Sequence, residues 1–167
     1  IVGCGWMLVC FLGALPYLFN GMGLIDSVFE SVSGFTTTGV TTVRSFSEFS
    51  NSLLAWRCLT HWFGGIGVIM LFIVIMPQMN SGAGYLFNAE LPGAVAERTL
   101  PRIKESAALI VGIYTGLTVI EIILLMLGGV GFYQAINLAL ATMATGGFSF
   151  YHDSLISFPS IYIEIVC

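Results

Sequence analysis

Residues 25–43 read IDSVFESVSGFTTTGVTTV. The spacing of Ser27 and Glu30 fits a capping box, in which each side chain satisfies a backbone donor at a helix start. A short helix is predicted from there to Phe35, over about residues 27–35. From Thr36 to Thr42 follow five threonines, one glycine and one valine. That composition disfavours continued helix and suits extended backbone, whose carbonyls and amides must find partners elsewhere.

The rest of the chain says where this segment lies. Of its 167 residues 57% are hydrophobic and 8% charged, with a mean hydropathy of +0.96, against roughly 25% charged in a soluble domain. No soluble fold covers so much apolar surface, whereas a bilayer asks for apolar runs of about 20 residues. Such runs occupy residues 1–19, about 53–76 and 106–127, and a fourth begins near Ile156. Pro16 is placed to kink the first. The reading is therefore an all-α, multi-pass membrane protein. The net charge of −4 is small and dispersed, which gives no basic patch for nucleic acid. Cys4, Cys10, Cys58 and Cys167 lie in apolar segments with no CxxC or zinc-ligand spacing and read as packing residues. Ile1 opens directly into apolar sequence without a basic region, so no signal peptide is read, and both termini are read as cuts.

Positive charge orients the chain, because short cytoplasmic loops carry the excess of Lys and Arg. Arg98, Arg102 and Lys104 fall between Pro77 and Glu105, with Glu90, Glu97 and Glu105 among them. That loop is expected on the cytoplasmic side. The short stretches after the first and third runs are then external, with Arg44 and Arg57 as the minority charges there.

A shift of 108 positions, the separation of Gly39 and Gly147, reveals an internal repeat. Gly21-Met22-Gly23 falls on Gly129-Val130-Gly131, and Thr37-Thr38-Gly39-Val40-Thr41 on Thr145-Gly146-Gly147-Phe148-Ser149. Each is preceded by about a dozen helix-compatible residues. The expected organisation is one helix, re-entrant loop, helix unit over 1–76, a cytoplasmic loop over 77–105 and a second, truncated unit over 106–167. Short helices are expected at about 27–35 and 132–143, and extended segments at 36–41 and 145–149.

Non-helical backbone at membrane depth survives only where it is buried in protein or lines a water-filled cavity. An ion pathway meets both conditions. Carbonyl oxygens and threonine hydroxyls replace a cation's hydration shell, glycine permits the dihedrals that aim carbonyls at one axis, and the helix before the loop turns its negative end to the ion. A plain outer loop with a glycine turn is the bland alternative for TTTGVTT. Recurrence as ATGGFS in a second unit argues against it.

Five segments in order resemble the TrkH/KtrB potassium transporters: SVSGFTTTGVT at 31–41, WFGGIGVIML at 62–71, AELPG at 89–93, PRIKESA at 101–107 and ATMATGGFS at 141–149. The WFGGIG and AELPG segments look more like the TrkH branch. The resemblance implies four pore units in one chain, of which two are present, with Gly39 and Gly147 as filter glycines. It implies that Thr37, Thr38, Gly39, Val40 and Thr41 form one wall of a cation site, and Thr145, Gly146, Gly147, Phe148 and Ser149 another. It further implies potassium transport without catalysis or cofactor, a homodimer in the inner (plasma) membrane among lipid, and a TrkA-like nucleotide-binding subunit on the cytoplasmic side. A glycine in each wall goes with potassium preference, and sodium-permeable relatives carry serine in the first. Val40 stands where alanine is common, and neither loop has the full TVGYG of tetrameric channels.

Rival readings were open at this level. A broken-helix transporter places polar breaks within long spans, whereas these breaks lie between spans. An intramembrane hydrolase using His61 lacks a recognised nucleophile motif. Gly64-Gly65-Ile66-Gly67 lies inside an apolar helix and reads as close helix packing, not a nucleotide loop. Glu121, seven residues before Gly128, is either a functional carboxylate or one paired near the outer face. His61, one turn beyond Arg57, reads as structural, with both facing a vestibule or the neighbouring unit. His152 and Asp153 follow the second loop and read as a solvated segment or as tuning the potential at the mouth.

Overall fold

The computed structural model describes residues 2–43, 49–79, 96–147 and 161–167. Among these residues there are seven helices and no strand: α1 (Val2–Gly13), α2 (Leu15–Phe19), α3 (Leu24–Phe35), α4 (Asn51–Met79), α5 (Ala96–Leu127), α6 (Phe132–Met143) and α7 (Ile161–Val166). The chain divides into two compact units, residues 1–65 with 117–167, and residues 66–116. The first contains both short helices and both loops.

The first apolar run breaks at Ala14, two residues before Pro16. Proline cannot donate to the carbonyl four residues back, and its ring crowds that turn. Helix α3 starts at Leu24, three residues before the position the capping box predicts. Its N-cap is Gly23, which has no side chain to cap with. Ser27 instead donates to the Met22 carbonyl at 3.4 Å, and Glu30 is drawn into the interior by an arginine. The connecting stretch expected over 77–105 is helical at both ends, through Met79 and from Ala96. The AELPG segment at 89–93, with Glu90, lies outside the described residues.

Asn51–Ile73 and Glu105–Leu127, 23 residues each, are long and apolar enough to cross a membrane, at about 34 Å of helix apiece. Most of each span is left uncovered by the rest of the chain. Phe11, Phe19, Phe72 and Leu109 are likewise exposed. A soluble protein's core helix would be covered, so these are spans suited to lipid or to further membrane helices.

Within the first unit, Leu125, Val130, Ala135, Ala139 and Ile163 pack α5, α6 and α7 together. Polar groups in this apolar setting are tied across helices, as a bilayer requires. Ser31 donates to the Cys10 carbonyl at 2.6 Å and the Trp56 indole to that of Gly13 at 3.0 Å. The Trp62 indole donates to the Thr118 hydroxyl at 3.0 Å, and the Tyr133 hydroxyl to the Asn51 carbonyl.

The backbone repeats in register with the sequence. Helix α2 ends in paired bonds from Met22 N–H to the Tyr17 carbonyl and from Gly21 N–H to that of Leu18, and α5 in Val130 to Leu125 and Gly129 to Met126. These are Schellman caps, with the left-handed residue supplied by Gly21 (φ 86°) and Gly129 (φ 87°). Helices α3 and α6 end in the same way. Thr38 N–H bonds the Ser33 carbonyl and Thr37 N–H that of Gly34, matched by Gly146 to Ala141 and Thr145 to Thr142.

Candidate functional site

In these second caps the left-handed residue is a threonine, Thr37 at φ 55° and Thr145 at φ 51°. A β-branched residue there is a genuine outlier, of order 1–3 kcal/mol in cost, that the surrounding structure must impose. Two residues on, Gly39 (φ 75°) and Gly147 (φ 72°) are left-handed again. An ordinary strand sends successive carbonyls to opposite sides. Left-handed residues set two apart reverse that alternation, the arrangement by which a short loop collects carbonyls on one side.

The two loops meet. A Cβ built on Gly39 would overlap the carbonyl oxygen of Gly146, so the first loop's glycine and the second loop's backbone are in contact only because Gly39 has no side chain. Gly146 is itself buried and abuts the ring of His61, while Thr38, Thr145 and Gly147 are exposed. The Thr36 and Thr38 hydroxyls lie 2.8 Å apart on the exposed face.

Behind the first loop stands a charged pair missed at the level of sequence. Glu30 of α3 and Arg57 of α4 are 0% and 2% exposed, with Glu30 Oε2 3.2 Å from Arg57 Nη2. The other carboxylate oxygen, Oε1, accepts the Thr41 hydroxyl at 2.5 Å and the Thr42 N–H at 2.8 Å. Ser33 donates to the Val40 carbonyl at 2.6 Å. Of the expected site residues in the first loop, Thr37 and Gly39 thus carry the left-handed backbone, Thr38 lies exposed between them, and Val40 and Thr41 are held against α3. By sequence alone Arg57 is a minority external charge and Glu30 a capping residue. A glutamate in the middle of α3 and the single arginine of the apolar α4 are the signal that joins them, since neither charge is stable unpaired at membrane depth.

His61, one turn beyond Arg57, is fully buried. Its ring interacts with the Ser33 backbone as well as abutting Gly146, so it touches one element from each half of the repeat. Gly64, a turn further, admits the end of α3: a Cβ there would lie 2.5 Å from the Phe35 carbonyl oxygen and 3.0 Å from that of Gly34. Close packing is what the glycines of this helix predicted. Glu121 is buried and accepts the hydroxyl of Thr142 on α6. Phe148, Ser149, His152, Asp153 and Arg44 lie outside the described residues.

Residues 2–167 match the TrkH family, described as cation transport protein. The chain belongs to the TrkH family. It is 36% identical to the Trk system potassium uptake protein TrkH of Escherichia coli K12, over 99% of this chain and 35% of that protein. With TrkH of Halomonas elongata it shares 34% identity over 97% of this chain and 34% of the relative. The crystal structure of the potassium transporter TrkH from Vibrio parahaemolyticus superposes with a TM-score of 0.82 at 31% identity, covering 99% of this chain and 33% of that one. The chain therefore spans about a third of the length of these TrkH proteins. Membership of a cation-transporter family agrees with the two uncovered spans, and together they make it a membrane protein.

Proposed function

We propose that the two loops are adjoining walls of a potassium-selective pathway. The observation that carries this reading is the contact of Gly39 with Gly146 at the meeting of two loops whose backbones repeat the same left-handed pattern. Carbonyl groups concentrated at such a meeting replace the hydration shell of a cation. The cation-facing groups are assigned to Thr37, Thr38 and Gly39, and to Thr145, Gly146 and Gly147, with Phe148 and Ser149 completing the second wall. Val40 and Thr41 belong to the first wall, their hydrogen-bonded groups fixing its outer end. Helices α3 and α6 direct their negative C-terminal ends to the same region, which favours a positive ion.

The names of the TrkH relatives support potassium as the ion and uptake as the direction. Two loops make two walls, so a four-walled pore takes its other two from the rest of the same chain. In this reading the units are residues 1–76 and 106–167, joined on the cytoplasmic side by 77–105, and the loops open to the outer side of the inner membrane. The pore operates as a homodimer in lipid with a TrkA-like cytoplasmic nucleotide-binding subunit, and it transports without covalent chemistry or a cofactor. The test is rubidium and sodium uptake by the full-length protein in proteoliposomes, with and without Gly39→Ser. Selective uptake that Gly39→Ser weakens is expected. Uptake with unchanged selectivity removes Gly39 from the filter, and absence of cation uptake ends the pore reading.

A further inference from the structure

We propose that the buried Glu30–Arg57 pair is a positioning device that sets the ion preference of the first loop. The proposal rests on the reading of that loop as a cation filter. Glu30 divides its two oxygens between two tasks. Oε2 faces Arg57 Nη2 at 3.2 Å, while Oε1 takes both the Thr41 hydroxyl and the Thr42 N–H. Those donors lie two and three residues beyond Gly39. The outer end of the loop is thereby fixed to α4 through a carboxylate, and the bonds to it are charge-assisted, shorter and stronger than neutral ones. Both charges are withdrawn from solvent, so their attraction is little screened by salt.

The same stretch of α4 touches the second loop, since His61 lies one turn beyond Arg57 and against Gly146. Arg57 therefore refers the first loop to the helix that also abuts the second. The arrangement is one-sided. The residue 108 positions after Glu30 is Leu138, so α6 offers no carboxylate at the matching place, and among the described residues the ion pair braces the first wall without a counterpart behind the second.

Two opposite defects separate positioning from simple electrostatics. Glu30→Gln leaves a positive charge behind the loop and Arg57→Met leaves a negative one. If the pair acted only through the potential it adds to the pathway, the two variants would move cation flux in opposite directions and leave the rubidium-to-sodium ratio alone. If it positions the loop, both lower that ratio, by about tenfold, because either one leaves a buried charge uncompensated and unties the acceptor of Thr41 and Thr42 from α4. The double variant Glu30→Gln/Arg57→Met carries no buried charge and keeps an acceptor for Thr41 and Thr42, so its ratio should fall between the single variants and the unsubstituted protein.

The experiment is competitive rubidium and sodium uptake by the full-length protein in proteoliposomes, normalised to folded protein. A ratio lowered in both single variants and partly restored in the double supports the proposal. A selective unsubstituted protein whose single variants keep its ratio leaves the filter reading standing and overturns this one. Where a single variant fails to assemble, the double variant decides, and a ratio equal to that of the unsubstituted protein overturns the proposal. An unsubstituted protein with no selective uptake removes the filter reading and this proposal together.

Discussion

The ring of His61 lies against the backbone of Gly146, so closely that one methyl group on Gly146 would overlap the imidazole. His61 is fully buried and has no solvent to retreat into. Gly146→Ala must therefore displace the ring or the loop, and is expected to destabilise the protein by about 1–3 kcal/mol, the usual range for overpacking. His61→Ala vacates the volume, so His61→Ala/Gly146→Ala should be more stable than the sum of its single changes allows. Thermal unfolding of the four proteins in detergent checks this. Strict additivity would show that the contact is not the source of the loss.

Thr37 holds the position at the end of α3 where glycine is usual, at φ 55°. Thr37→Gly removes a left-handed strain of about 1–2 kcal/mol but adds unfolded-state freedom worth about 0.5–1 kcal/mol. The net expectation is a protein as stable as the original or slightly more so. If the threonine serves the cation, rubidium uptake should fall in the same variant. Stability and transport moving apart mark strain kept for function, whereas a loss of both means that this threonine supports the fold.

The all-helical membrane fold was legible because apolar run length and the lack of charge leave few alternatives. The repeat was legible from Gly21 and Gly129, which are cap residues, and from Gly39 and Gly147 in the loops, because a left-handed backbone position restricts sequence. What the sequence hides depends on contacts across the chain. Ser27 and Glu30 have capping-box spacing, but local spacing cannot register that Arg57, 27 residues away, takes the carboxylate inward. The approach of His61 to Gly146 was equally hidden, since glycine is compatible with a turn, a packing site or a filter alike. The threonines at 37 and 145 defeat the ordinary cap rule altogether, since at those positions the tertiary structure overrides local preference.

Glu121 keeps its carboxylate in the interior of the first unit with the Thr142 hydroxyl as donor. Thr142→Val preserves shape and removes that donor, leaving a buried acceptor with its bond unmade, which costs about 1–3 kcal/mol. Glu121→Gln retains an acceptor and is expected to change stability less. In the pair Thr142→Val/Glu121→Leu both partners are apolar, and the combined loss should be smaller than the sum of the single losses. A double-mutant cycle on thermal unfolding measures it. Additive losses would show that the carboxylate and hydroxyl do not depend on each other.

Gly64 presents a harder case than Gly146, because what its missing Cβ would meet is backbone. The Phe35 carbonyl oxygen would stand 2.5 Å away and that of Gly34 3.0 Å, and both belong to the last turn of α3. A histidine ring can rotate aside, but a helix end can only move as a body. Gly64→Ala is therefore expected to cost at least as much as Gly146→Ala, about 1–3 kcal/mol, with no single side-chain truncation able to rescue it. Moving α4 off α3 also draws Arg57 away from Glu30, so ion preference should fall together with stability. Thermal unfolding and the rubidium-to-sodium uptake ratio, measured on one preparation, test both consequences. A stable Gly64→Ala protein with unaltered preference would mean that α4 and the end of α3 are not packed as closely as these distances require.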